Sequence, residues 1–328
     1  MRIVLTGATG HSGRWFVERL KKEHFKGELV CLVREEGEQA HLDDGVIQIK
    51  KVFGVIEGGF SQDAKGRRVT LPQGENKALR EALKGADALV HIAGIQVSEV
   101  VIPLAIEAGV NWAIVVHTTG RYSKYKSASA EYIATEDKLL EQRAAFLEGK
   151  AAGMNLTIVR PTMIYGSQRD VNMHKLIVFL TKFKFFPVFG KGENLMQPVH
   201  ARDLGNAYYD ILIRPDSTKN KEYNLSGKEP LAYADIIGTT GRALVAAGVR
   251  KKENTLINIP FRLSVMAAKV YQGLFGKRAI INVEQVLRMQ EDKDFSHEEA
   301  ARDFGYDPID FAKGIREEIE GMKKAGRI

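Results

Sequence analysis

Three glycines near the start of the chain, Gly7, Gly10 and Gly13, stand as G-x-x-G-x-x-G within Thr6-Gly7-Ala8-Thr9-Gly10-His11-Ser12-Gly13. The apolar run Arg2-Ile3-Val4-Leu5 precedes them, and Trp15 to Lys22 reads as a helix. A strand, a glycine turn and a helix in that order make a site for an anion. Gly7 permits the tight turn, Gly10 lets backbone N–H groups approach a pyrophosphate, and Gly13 lets the helix pack close to the strand. Thr9, His11 and Ser12 share the turn, and the anion meets the positive end of the helix. The commonest dinucleotide turn is G-x-G-x-x-G. The spacing here differs but serves the same physical need, and the strand before it and helix after it give it weight.

The elements that would position this turn alternate through the first half of the chain. Glu28–Val33, Ala88–Ile92, Trp112–His117 and Leu156–Arg160 read as strands. Ser98–Ala108, with Pro103 inside it, and Ala128–Leu147 read as helices. Such alternation predicts an α/β fold: a Rossmann-type doubly wound parallel sheet, with ligands at the carboxyl ends of its strands. The dinucleotide-binding domain is expected over 1–165. A smaller mixed α/β C-terminal substrate lobe is expected over 166–328, with the chain crossing back to the sheet near 195–225. Residues 51–76 break the alternation and read as a long loop or an extra hairpin.

The chain has 328 residues, 44% of them hydrophobic and 27% charged, with a formal net charge of +7. That is the composition of an ordinary globular protein large enough for two lobes. No run of about 18 apolar residues is present, so no membrane span is expected. The first residues enter a strand directly, which leaves no room for a signal peptide and points to the cytoplasm. Cys31 is the one cysteine, which excludes an intrachain disulfide and a cysteine-rich zinc site; no metal is expected. The basic balance favours anionic ligands, but no nucleic-acid-binding signature accompanies it.

Four segments together resemble the extended and atypical short-chain dehydrogenase/reductase superfamily, in its nucleotide-sugar epimerase and dehydratase group. They are the glycine turn; His91-Ile92-Ala93-Gly94; Arg160-Pro161-Thr162-Met163-Ile164-Tyr165-Gly166; and Phe189-Gly190-Lys191-Gly192 followed by Gln197-Pro198-Val199-His200-Ala201-Arg202-Asp203-Leu204. The resemblance spans about residues 1–215. It implies a nicotinamide dinucleotide contacted by the turn, Ala93, Gly94 and Pro161. It also implies a nucleotide-sugar substrate near Arg160, Tyr165, Asn172 and Gln197, and a homodimer. Asp203 could instead cap a helix over Leu204–Ile213. At the end of the second strand Arg34 stands where NADP users place a cation against the 2′-phosphate. NADP is therefore favoured over NAD, although Glu35 and Glu36 follow.

In that family a tyrosine phenolate acts as base. A lysine four residues later, on the same helix face, lowers its pKa and holds the nicotinamide ribose, and a serine or threonine precedes them. Thr118 matches the serine/threonine. Tyr122 matches a family tyrosine that lies near substrate without being the base. Lys138 looks like the family lysine, yet Ala134 stands four residues before it. Tyr132 is six residues from Lys138, roughly 240° round a helix, so the two should not share a face. The literal Y-x-x-x-K here is Tyr122 to Lys126, which makes that pair an alternative; Lys138 itself reads either as the family lysine or as a solvated helix lysine. Dehydratases carry an Asp-Glu pair after the threonine. Thr119-Gly120 stand there instead, which disfavours elimination of water.

Two function classes follow: an NAD(P)-dependent epimerase or reductase, or a dinucleotide-binding protein without turnover that serves redox sensing or complex assembly. Lys175–Phe186 and Phe261–Lys277 are apolar with interspersed basic residues. They read as covers of the substrate lobe, or as a contact with an anionic membrane surface or an apolar ligand.

Overall fold

The computed structural model describes residues 1–34, 39–62, 68–125, 129–166, 170, 172–275 and 283–328. The first half runs β1 (Arg2–Thr6), α1 (His11–Lys22), β2 (Glu28–Val33), β3 (Gln48–Phe53), β4 (Phe60–Gln62) and β5 (Arg68–Thr70). It continues α2 (Lys77–Leu83), β6 (Ala88–His91), α3 (Ser98–Glu107), β7 (Trp112–Val116), α4 (Ala130–Leu147), β8 (Asn155–Pro161) and β9 (Ile164–Tyr165). The second half opens with α5 (Asn172–Lys182), β10 (Phe185–Phe189), β11 (Leu195–Met196), β12 (Val199–His200), α6 (Ala201–Leu212) and α7 (Pro215–Thr218). Then come β13 (Glu222–Leu225), β14 (Leu231–Ala232), α8 (Tyr233–Ala246), β15 (Thr255–Ile259), α9 (Phe261–Phe275), α10 (Val283–Arg288), α11 (Glu298–Phe304) and α12 (Phe311–Lys324).

Seven strands form the main sheet in the order β13-β8-β7-β6-β1-β2-β3. Every neighbouring pair is parallel. This is the doubly wound Rossmann-type α/β fold expected from the alternation. Its inner strands are apolar on both faces: all five residues of β7 are buried, as a strand covered by helices on both sides requires. One face is filled by Phe16, Val17 and Leu20 of α1 with α6, the other by Leu79, Val101 and Leu139 from α2, α3 and α4. The strand order reverses between β1 and β6, which opens a crevice at their carboxyl ends.

Residues 51–76 hold the end of β3 and the antiparallel pair β4–β5, which is the extra hairpin; its tip lies outside the described residues. After β9 the chain builds a smaller layer around Met173, Ile177, Ile236 and Ile315. It also returns to the large one, since α6 packs on α1 and β13 joins the main sheet beside β8. Helix α6 begins at Ala201, with His200 as its cap. Asp203 is therefore not the cap: it lies in the first turn and accepts from the Ile309 N–H at 3.0 Å.

Candidate functional site

The crevice between β1 and β6 is a cleft of about 740 Å³, the site expected in such a sheet. Gly7, at φ +81°, crosses the backbone of Ala93 so closely that a Cβ would stand 3.0 Å from its nitrogen. A Cβ on Gly13 would fall inside the van der Waals radius of the Gly7 carbonyl oxygen, so α1 can pack here only with glycine. Thr9, Gly10, His11 and Ser12 line the cleft, whereas Gly13 stands behind them. Gly10 caps α1 without a side-chain hydrogen bond, and the first turn holds no acidic residue, which leaves the positive end of the helix facing the cleft. Arg34, exposed at the end of β2, and Ala93, Gly94 and Pro161 complete the lining on which a dinucleotide would rest. Glu35 and Glu36 lie outside the described residues.

Thr6 shapes the floor. Its hydroxyl oxygen accepts from the N–H groups of Ile92 and Ala93 at 3.2 and 3.3 Å, so its proton goes to His91 Nδ1, 2.7 Å away. Burial above all, with His117 as a second and less favourable neighbour for a cation, pushes the His91 imidazole down to about 3. It is a neutral pillar under the cleft.

Two hydroxyls face the cleft beyond β7. Thr118 Oγ1 accepts from the Gly120 N–H at 3.0 Å, which leaves its proton to donate into the cleft. The Tyr132 phenol also lines the cleft and accepts from Gln96 Nε2 at 3.3 Å. One turn after Tyr132 on α4, at the i+4 position, stands Glu136, a carboxylate where the family mechanism calls for a lysine. Lys138 is 57% exposed and pairs with Glu99 at 3.3 Å, away from the cleft.

Glu136 is buried at the centre of an ion network. It accepts from His117 Nδ1 at 2.9 Å, from Arg160 Nε at 2.8 Å, and from Arg121. Arg160 continues to Glu222 at 2.5 Å, and Glu222 to Arg143 at 2.7 Å. Burial pushes the Glu136 carboxyl up, but the hydrogen bonds from His117 and Arg160 outweigh it and hold it down at about 2. Burial also lowers His117, against the pull of Glu136. A neutral His117 therefore donates from Nδ1 to Glu136, while its Nε2, 3.4 Å from Ser98 Oγ, accepts. His117 is itself a cleft wall, so the network backs directly onto the site.

The other candidates lie elsewhere. Tyr122 is 44% exposed outside the cleft, where it accepts from Arg160 at 3.0 Å and donates to Asn224 at 3.3 Å. Lys126 lies outside the described residues. Arg160 is buried in the ion network rather than open to a ligand. Tyr165 is fully buried between His200 and Phe311, and burial raises its phenol pKa far above the ordinary range. Gln197 ties the backbones of Gly227 and Phe295 together at 2.8 and 2.9 Å. Of the four expected substrate residues, Asn172 lines a second cavity, in the smaller layer. The sequence set Tyr132 aside because it cannot share a helix face with Lys138, and Glu136 carried no signal of its own beyond its i+4 spacing from Tyr132.

No family model matches the chain. A curated relative, the mitochondrial NADH dehydrogenase [ubiquinone] 1 alpha subcomplex subunit 9 of Arabidopsis thaliana, is 23% identical over 190 residues, covering 55% of this chain and 46% of that protein. The chain thus spans about half the length of that relative. Among solved structures, gox2253 matches with a TM-score of 0.75 at 17% identity over 99% of both chains. The dTDP-glucose 4,6-dehydratase DesIV of Streptomyces venezuelae with NAD and TYD bound matches at 0.66, with 18% identity over 99% of this chain and 97% of that one. UDP-glucuronic acid 4-epimerase from Bacillus cereus, in complex with NAD, matches at 0.66, with 15% identity over 99% of both. The resemblance to this group therefore holds at the level of the fold. Among the described residues, no helix is long and apolar enough to cross a membrane, and no cluster of three or more His, Cys, Asp or Glu residues could hold a metal ion.

Proposed function

We propose that this protein binds a nicotinamide dinucleotide in the β1–β6 cleft without the tyrosine–lysine turnover of the epimerases. The glycine cradle, the open end of α1 and the 740 Å³ of space fit a dinucleotide. Arg34 at the rim favours NADP over NAD, because a guanidinium pairs with a 2′-phosphate. Bound there, the nicotinamide would supply or accept a hydride. The observation that carries the second half of the reading is Glu136. A carboxylate one turn from Tyr132 removes the cation that would stabilise a phenolate. The curated relative is named as a subunit of an NADH dehydrogenase, which fits a role in redox sensing or complex assembly. Leu263, Met266 and Val270 stand exposed at i, i+3, i+7 on α9 beside Arg262 and Lys269, which supports a peripheral contact with an anionic membrane. A homodimer and a cytoplasmic location complete this reading.

A second reading, an epimerase or reductase of a nucleotide-sugar or related carbonyl compound, is favoured by one observation: Thr118 and Tyr132 both face the cleft. Thr118 would then hydrogen-bond the substrate oxygen and Tyr132 would move its proton. The two readings part in an assay with NADPH, NADH and a panel of UDP- and dTDP-sugars, with product sugars analysed. The first reading expects no conversion. Turnover that a Tyr132→Phe variant abolishes would establish the second.

A further inference from the structure

The smaller layer holds a second cavity, of about 280 Å³, which shares no lining residue with the dinucleotide cleft. Met163 lines it while the next residue, Ile164, lines the cleft, so the chain after β8 is a wall common to both. Buried Met173 and Ile236 line the cavity too, with half-buried Met196 and Met289. Four methionines give a surface that is apolar, polarizable and adaptable in shape. A thioether is only a weak acceptor and donates nothing, so the polar contacts here fall to Asn172, Asn194, Tyr233 and two lysines.

The charge at this cavity is all of one sign. Lys175 and Lys293 line it, and no carboxylate does. Lys293 is held in place by its backbone: its N–H donates to the Leu195 carbonyl at 2.7 Å, and the neighbouring Asp292 accepts from the Leu195 N–H at 2.8 Å. Its ammonium makes no hydrogen bond or ion pair among the described residues, although it is only partly exposed. Burial, with Arg288 adding like charge against Glu291, pushes this amine below the ordinary lysine range. A group in that state gains from an anion beside it.

We propose that this cavity binds an amphipathic anion, its medium-length apolar chain among the methionines and its carboxylate or phosphate at Lys293 and Lys175. The inference goes beyond the dinucleotide reading and does not depend on it. Isothermal titration of the full chain with octanoate, geranyl phosphate, octanol and UDP-glucose tests it. At least one of the two anions should bind about tenfold or more tightly than octanol, and the tighter one identifies the headgroup. Lys293→Met should remove that advantage and leave octanol within about twofold. Leu176→Trp, which fills the cavity, should weaken all three. Both variants should keep the circular-dichroism spectrum and melting temperature of the unaltered chain, which shows them folded. UDP-glucose binding that Leu176→Trp abolishes would overturn the proposal, as would anion binding indifferent to both substitutions or no amphiphile binding at all. Absence of NADPH binding to the unaltered chain, with the expected amphiphile pattern, would strike the cleft reading alone.

Discussion

Tyr132 and Glu136 occupy one face of one helical turn, and the second of them is charged with the wrong sign for a phenolate. What the carboxylate does instead is hold three partners, His117, Arg160 and Arg121, in a buried network. Removing one side of such a network leaves the other uncompensated, so Glu136→Gln should cost about 3–5 kcal/mol of stability. Denaturant unfolding would measure it; a loss below about 1 kcal/mol would mean that the network is loosely held. The i, i+4 spacing of Tyr132 and Glu136 stands in the sequence, but the network does not. Arg160 looked like a substrate contact because it stands beside Pro161 in a recognisable segment. Its partners, Glu136 and Glu222, come from distant parts of the chain, and only the packing of α4 and β13 against β8 joins them.

At the scale of elements, the glycine turn was legible because its constraints are local. Each glycine is dictated by backbone within one strand–turn–helix unit or by the next strand of the sheet. Gly13→Ala should therefore lower stability by about 1–3 kcal/mol through overpacking and weaken NADPH by more than about tenfold, because it displaces α1 from the turn. Melting curves and fluorescence titration check the two effects. Unchanged values in both would show that helix and strand have room to part. The apolar inner strands were legible for a similar reason: burial on both faces leaves unbroken runs. Strand β3 was not, since it is an edge strand in which Gln48, Lys50 and Lys51 interrupt the apolar residues. The start of α6 was missed by three residues because a histidine, not the acid that follows, supplies the cap.

Across the whole molecule, buried histidines and carboxyls set how stability answers to pH. His91 is held down at about 3 and His200 at about 4, both by burial first. An unfolded histidine titrates near 6.5. Below that the unfolded chain takes up protons that the native chain refuses, so stability falls as pH drops from about 6.5 toward 3. Glu136, at about 2, steepens the loss below its unfolded value of about 4.5. Glu318 acts in the opposite sense: burial, with Asp170, pushes it up to about 8, so its contribution is lost as pH rises toward 8. Urea unfolding between pH 4 and 7 should show the acid limb, and His91→Asn should reduce its slope. An unaltered slope would remove His91 from this account. The proposed function rests on one claim, that the cleft at the carboxyl ends of the parallel sheet holds a dinucleotide. Fluorescence titration with NADPH and NADH, on the unaltered chain and on Arg34→Ala, tests that most directly. The expected result is saturable binding of NADPH, tighter than NADH, with the difference lost in Arg34→Ala. Failure of both dinucleotides to bind would contradict the account.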